Sequence, residues 1–408
     1  MRGCLRCLPI VSRYRPWNHA SAFCTYFRPS PSTVKKPAKA RRTGEFAQIL
    51  RGDWFLAVSL ATCAVFAMAG DRLFEWLSHP FGFAVVFAWL FGAVLGSALK
   101  VARHADHVAE ILGEPYGTLV LTLSVTAIEV LSITAVMLHG ENNPTLVRDT
   151  LFAIVMIILG GMVGASLLAG GLTHREQHYN LQGANAYLSV IIPLAMLTLS
   201  LPNFTVTTPG PTLSIPQQVF LVFVSIALYG AFLTIQTGRH RGYFADDEAT
   251  HHAHRAPRRS LPWHGGLLLA YIVPVVFLAE QLAHPIDYVI ETLRYPTALG
   301  GVIIALLVAT PEAVAATRAA LGNNVQRSIN VSLGSVLSSI GLTVPAMLAI
   351  SYFTAHEVFL GLAAANNLLL AVTLAVSVVT FASGRTNVLQ GAVHIMLFAA
   401  FVMLIFQA

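Results

Sequence analysis

The sequence predicts an all-α polytopic membrane protein with eleven transmembrane helices: one N-terminal helix followed by two inverted five-helix repeats. Three observations carry that expectation. Long apolar runs recur from Trp54 to the end of the chain, and about 20 apolar residues in a helix cross a bilayer core. Only 11% of the 408 residues are charged, 55% are hydrophobic, and the mean hydropathy is +0.67; a soluble domain carries about 25% charged residues. Residues 104–143 and 284–324 also share one pattern of acids, proline and asparagine.

The apolar runs fall at 54–70, 81–99, 116–138, 151–172, 186–201, 217–236, 265–283, 297–317, 328–353, 357–381 and 391–406. The boundaries that follow are a basic, disordered tail over 1–50, an extra first helix over 51–80, a first five-helix set over 81–236, a polar loop over 237–264, and a second five-helix set over 265–408. The tail has no continuous apolar stretch of signal-peptide length. It reads as a solvated segment, with a transit peptide or an upstream start as alternatives.

Net charge is +6, but its placement matters more than its size. Lys and Arg gather on the cytoplasmic side of membrane proteins. With the N-terminus in the cytoplasm and the spans alternating, 22 of the 25 basic residues fall inside and only Arg72, Arg148 and Arg294 outside. The loop 237–264 is then cytoplasmic and the C-terminus external. A basic tail beside a membrane gives no argument for nucleic acid; the expected partners are inorganic cations, protons and the lipid bilayer.

The repeat is specific in its spacing. Asp106, Glu110 and Pro115 match Asp287, Glu291 and Pro296 at identical intervals. A glutamate follows each proline within the next apolar span, Glu129 after 14 residues and Glu312 after 16. Asn142–Asn143 and Asn323–Asn324 close the two copies. Each copy reads as the end of a span, a polar connector and the next span. Five spans per set is odd, so the two sets cross in opposite directions, an architecture that puts ion sites near the midplane between repeats.

Glu129 and Glu312 are the candidate ion- and proton-binding residues. An ionised carboxylate at the bilayer centre costs at least about 2.5–3.5 kcal/mol, so it is held protonated or neutralised by a cation. Two such groups facing one cavity can bind one divalent cation or carry one proton each, and both states are near-neutral. Hard cations take oxygen ligands. Ser124, Thr126, Thr134, Thr310, Ser335, Ser338 and Ser339 are candidate hydroxyl ligands, and Pro311 frees backbone carbonyls in its helix. No cofactor is expected beyond the transported cation and protons.

Other marks have plainer readings. Asp149 reads as the N-cap at the outer entrance of the fourth span, with ion entry as the alternative. Gly160, Gly161 and Gly164 point to close helix packing. His251, His252 and His254, near Asp246, Asp247 and Glu248, read as a solvated loop or a cytoplasmic metal or pH sensor. Cys4 and Cys7 form a C-x-x-C that nothing nearby completes into a zinc site; Cys24 lies in the same tail, and Cys63 is packing in an apolar span.

The stretches GEPYGTLVLTLSVTAIEV, PTLVRDTLF, NVQRSINVSLGSVLSSIGLTVP and SGRTNVLQGAVHIMLFAAF resemble bacterial ChaA-type sodium-potassium/proton and calcium/proton antiporters, members of the calcium/cation antiporter superfamily. The resemblance covers nearly all of 81–407 and places Glu129 and Glu312 on that family's repeat glutamates. It implies eleven spans, two inverted five-span repeats, a bacterial inner-membrane location, and proton-driven export of calcium or monovalent cations. The chain departs from the wider superfamily in one respect. Its exchangers carry Gly-Asn-x-x-Glu at both sites; here Val125-Thr126 precede Glu129 and Val308-Ala309 precede Glu312. Without the amide ligand, strictly monovalent sodium or potassium exchange is the main alternative. A passive cation channel is another. A membrane enzyme using paired carboxylates is the weakest, since no HExxH and no nucleophile–histidine pair stands out.

Overall fold

A computed structural model describes residues 42–113, 116–139, 143–244 and 260–407, with side chains from residue 53 onward. Cys4, Cys7, Cys24, Pro115, Asn142, residues 246–248 and the loop histidines lie outside the described residues. The backbone is helical from Arg42, where the sequence reading kept a tail to residue 50, and is interrupted by a non-helical Asp53 (φ −125°, ψ 27°).

From Asp53 onward the body is all helix apart from one two-residue β-bridge, Gln177–His178 with Arg385–Thr386. Among the described residues ten helices are long and apolar enough to cross a membrane: α1 (Asp53–Ser78), α2 (Pro80–Leu112), α3 (Tyr116–Met137), α4 (Leu146–His174), α5 (Leu181–Asn203), α6 (Ile215–Arg239), α7 (Leu261–Thr292), α8 (Ala298–Leu321), α9 (Val325–Thr354) and, after a shorter apolar α10 (Ala364–Thr380), α11 (Val388–Ile405). The span expected at 357–381 is therefore cut back. Its first residues are extended and bond to two loops and to α5, with Phe359 N donating to Pro144 O (2.8 Å), Gly361 N to Pro211 O (3.2 Å) and Leu362 N to Leu199 O (3.0 Å). The 17-residue remainder is about 25 Å long.

Two helices run well past the apolar stretch that announced them. α2 continues from residue 99 to Leu112 and α7 from 283 to Thr292, so Asp106, Glu110, Asp287 and Glu291 stand on helices and not in connectors. Polar pairing makes the extension of α2 tolerable. Lys100 Nζ and His104 Nε2 approach Asp53 Oδ1 at 3.9 and 3.3 Å, and His104 Nδ1 lies 3.1 Å from His264 Nδ1 on α7.

The helix contacts are pseudo-symmetric. α2 packs along α7; α3 packs on α7 as α8 packs on α2; α4 packs on α8 as α9 packs on α3. α4 and α9 occupy the centre, 83% and 72% of their apolar windows being buried, against 22% for α1. Each central helix contains a π turn, Met156–Met162 in α4 and Ser339–Thr343 in α9, an irregularity frequent at functional sites. The glycines of α4 do pack closely. A Cβ at Gly164 would come within 2.9 Å of Ile395 N, and one at Gly391 within 2.5 Å of Leu168 N, so α4 and α11 touch backbone to backbone.

Candidate functional site

α9 gathers the two glutamates. Glu129, on α3, is 1% exposed, and its Oε2 accepts a hydrogen bond from Ser339 Oγ at 2.7 Å. Glu312, on α8, is half-buried, and its Oε2 accepts from Ser335 Oγ at 2.5 Å. Four residues separate the serines, one helical turn and about 6 Å of rise, so α3 and α8 deliver a carboxylate to successive turns of one helix. Pro311 sits inside an unbroken α8. Having no N–H, Pro311 leaves the Leu307 carbonyl, one turn earlier, without its intrahelical donor.

The two carboxylates differ in access. Glu312 opens into a cavity of about 360 Å³ whose wall includes Asp106, Thr122, Arg327, Asn330 and Ser335. Gln236 Nε2 donates to Tyr187 Oη (3.0 Å) across the same wall. The cavity lies toward the end where α2 and α6 finish and α9 begins, the end from which the 237–264 loop departs. Glu129 is not among the residues that line it. Its Oε1 lacks a well-formed hydrogen bond, as do the buried hydroxyls of Thr126 and Ser132, although the Thr343 hydroxyl on the next turn of α9 faces the same carboxyl group. A buried carboxylate oxygen without a partner is costly unless a proton or a cation accompanies it.

The remaining candidates separate by where their hydroxyls point. Ser335 and Ser339 reach the glutamates. Ser124 donates to Val120 O (2.6 Å), Thr134 to Val130 O (2.7 Å), Thr310 to Leu306 O (2.5 Å) and Ser338 to Ser335 O (3.0 Å). Serine and threonine in a helix readily bond back to the preceding turn, and these four donate that way, each oxygen keeping its lone pairs. Thr126, one turn before Glu129, keeps an unpartnered oxygen.

Asp149 is placed differently from its sequence reading. Thr145, not Asp149, stands at the N-cap of α4. Asp149 is 6% exposed, its Oδ1 accepts from Arg148 Nε (2.8 Å) and its Oδ2 from Thr145 Oγ1 (2.9 Å), while Arg148 Nη1 reaches Gly361 O (3.2 Å). The carboxylate is thus held by donors on both oxygens; a small pocket of about 30 Å³ lies beside it. Sequence reasoning did not single out Arg327 and Asn330 on the cavity wall. Their positions at i and i+3 on the face of α9 that leads, eight residues on from Arg327, to Ser335 were the available signal.

Among the described residues no group of three or more His, Cys, Asp and Glu is arranged to hold a metal ion. What converges is oxygen alone: two carboxylates and a few hydroxyls, a donor set for a hard cation or for protons.

Known proteins match over the same body. The sodium/calcium exchanger protein family matches twice, over residues 82–238 and again over 263–407. An ionic transporter of Sinorhizobium fredii, y4hA, is 41% identical over 360 residues, covering 86% of this chain and 95% of its own. The sodium-potassium/proton antiporter ChaA of Escherichia coli is 40% identical, covering 82% and 93%, and the Ca2+/H+ antiporter ChaA of Bacillus subtilis is 23% identical, covering 66% and 77%. The solved structure of native YfkE superposes with a TM-score of 0.68 at 19% identity, covering 87% of this chain and all of that one. These relatives are transporters, and the enzyme alternative falls away. The chain belongs to the sodium/calcium exchanger family, within the calcium/cation antiporter superfamily of membrane transporters.

Proposed function

We propose that the protein is a secondary active cation/proton antiporter that exports calcium, sodium or potassium, with Glu129 and Glu312 as the groups that exchange cation for protons. One observation carries this reading. Two intramembrane carboxylates, from α3 and α8, meet successive turns of α9, one open to a cavity from one end of the bundle and the other buried with an oxygen that lacks a well-formed hydrogen bond. A passive pore needs a continuous path, whereas an exchanger needs a site that one side reaches at a time. In this reading a cation entering the cavity meets Glu312 first. Binding at the pair releases protons, and reorientation of α3 and α8 against α9 then exposes Glu129 to the opposite side.

The separate family matches over 82–238 and 263–407 and the exchanged helix contacts support two inverted five-helix repeats with α1 outside them. α10 then counts as an eleventh span. The basic-residue distribution supports a cytoplasmic loop 237–264, hence an inward-facing cavity, an external C-terminus and a bacterial inner-membrane location. Strictly monovalent exchange is the second reading. Thr126 and Ala309 stand where an amide would add a ligand, and the relative at 40% identity is named for sodium and potassium.

Purified protein in liposomes with an imposed pH gradient tests the proposal. Adding calcium, sodium or potassium should collapse the gradient in a cation-dependent, electrically shunt-insensitive way. Cation flux that proceeds without any proton counter-flux would replace the antiporter with a channel.

A further inference from the structure

Three charged side chains line the cavity that reaches Glu312: Glu312 itself, Asp106 from α2 and Arg327 from α9. Arg327 lies eight residues before Ser335 on α9, about 12 Å nearer the cavity mouth. A guanidinium there is permanently charged, and by itself it repels every cation the proposed reaction needs. Asp106 is exposed to the same space, and it makes no ion pair with Arg327 within 4 Å. Its carboxylate therefore faces the cavity without being tied into a contact bridge with Arg327. Thr122 and Asn330 supply the neutral polar wall between them.

Resting on the antiporter reading, we infer that Asp106 is a positioning residue for cation entry: it offsets Arg327 and keeps the vestibule of Glu312 permissive to cations. The effect is on the local concentration of cations and not on the exchange chemistry. Clefts focus the field of the charges that line them, which alters the local concentration of charged substrates and their rate of entry. The repeat places a second aspartate, Asp287, at the equivalent position of α7 near the opposite end of the bundle.

The test is the cation KM and the maximal rate of exchange in proteoliposomes at low ionic strength. Asp106→Asn should raise KM by roughly 3- to 10-fold, the size expected of one charge across a wet cavity, with the maximal rate within about 2-fold of wild type. Asp106→Glu should stay near wild type. Asp106→Asn combined with Arg327→Gln should return KM toward wild type, and raised ionic strength should shrink the single-variant effect. A structural role for Asp106 would lower expression or maximal rate and would not be rescued by Arg327→Gln. An unchanged KM in Asp106→Asn, or a double variant no better than the single, overturns the inference while leaving antiport intact. A wild-type protein without cation-driven proton flux overturns both.

Discussion

Replacing Ser339 by Ala removes the 2.7 Å hydrogen bond that Glu129 Oε2 accepts from α9. The size of the effect follows from what that bond does in each state. A hydrogen bond to an ionised group contributes about 1.5–3 kcal/mol and one between neutral partners about 1 kcal/mol. The cation-loaded site, with Glu129 ionised, therefore loses roughly 1 kcal/mol more than the protonated site. That difference moves the competition between cation and proton by about 5- to 10-fold toward the proton. At fixed pH the cation KM should rise by that factor, and the increase should shrink as pH rises and protons compete less. Proton-flux titration in everted vesicles, with protein level followed in parallel, measures both. Ser335→Ala should act in the same sense through Glu312. A Ser339→Ala protein with wild-type KM at neutral pH would refute the claim that α9 presents Glu129 to the cation.

Further outcomes follow from the same geometry. Gly391→Ala should lower thermal stability in detergent by about 1–3 kcal/mol, because its Cβ meets the α4 backbone at Leu168; an unchanged unfolding temperature would mean the two helices are not so close. Arg148→Gln leaves the buried Asp149 carboxylate with only the Thr145 hydroxyl and should cost about 3–5 kcal/mol, part of it recovered by adding Asp149→Asn; no loss on the single change would contradict the pairing. A cysteine at Thr208 should be labelled from outside intact cells and one at Thr250 should not, and the reverse pattern would invert the topology.

The sequence made most of the membrane architecture legible, because hydropathy measures the transfer cost that decides which segments enter lipid. It stopped short wherever polar groups satisfy one another. Residues 100–112 of α2 looked like a connector because they carry Lys100, Arg103, His104, Asp106 and Glu110, yet contacts from α1 and α7 accept part of that polarity. Arg148 and Asp149 pushed the expected start of the fourth span to residue 151, although they pair within α4, Asp149 buried and Arg148 half-buried. Residues 357–363 failed in the other direction, since their apolar character belongs to an extended strap.

The site was legible in part for an energetic reason. Glu129 and Glu312 stand out because a membrane charge without a use is expensive. Their hydrogen-bond donors do not stand out, because hydroxyl side chains are common in membrane helices and most bond to their own backbone. Ser335, Ser338 and Ser339 all lie within a turn of one another, and only the packing of α3 and α8 on either side of α9 selects the first and the last. The difference in access between the two glutamates belongs to one conformation of the bundle, and no residue type encodes it.

The most direct measurement compares wild type with Glu129→Gln and Glu312→Gln in everted vesicles acidified by respiration. Glutamine keeps the shape and one oxygen but neither takes up nor releases a proton, and it is cheaper to bury than a carboxylate, so both variants should insert at wild-type levels. Wild type should release the accumulated protons on addition of the transported cation, and each variant should release none. Normal exchange by either variant would contradict the two-glutamate account.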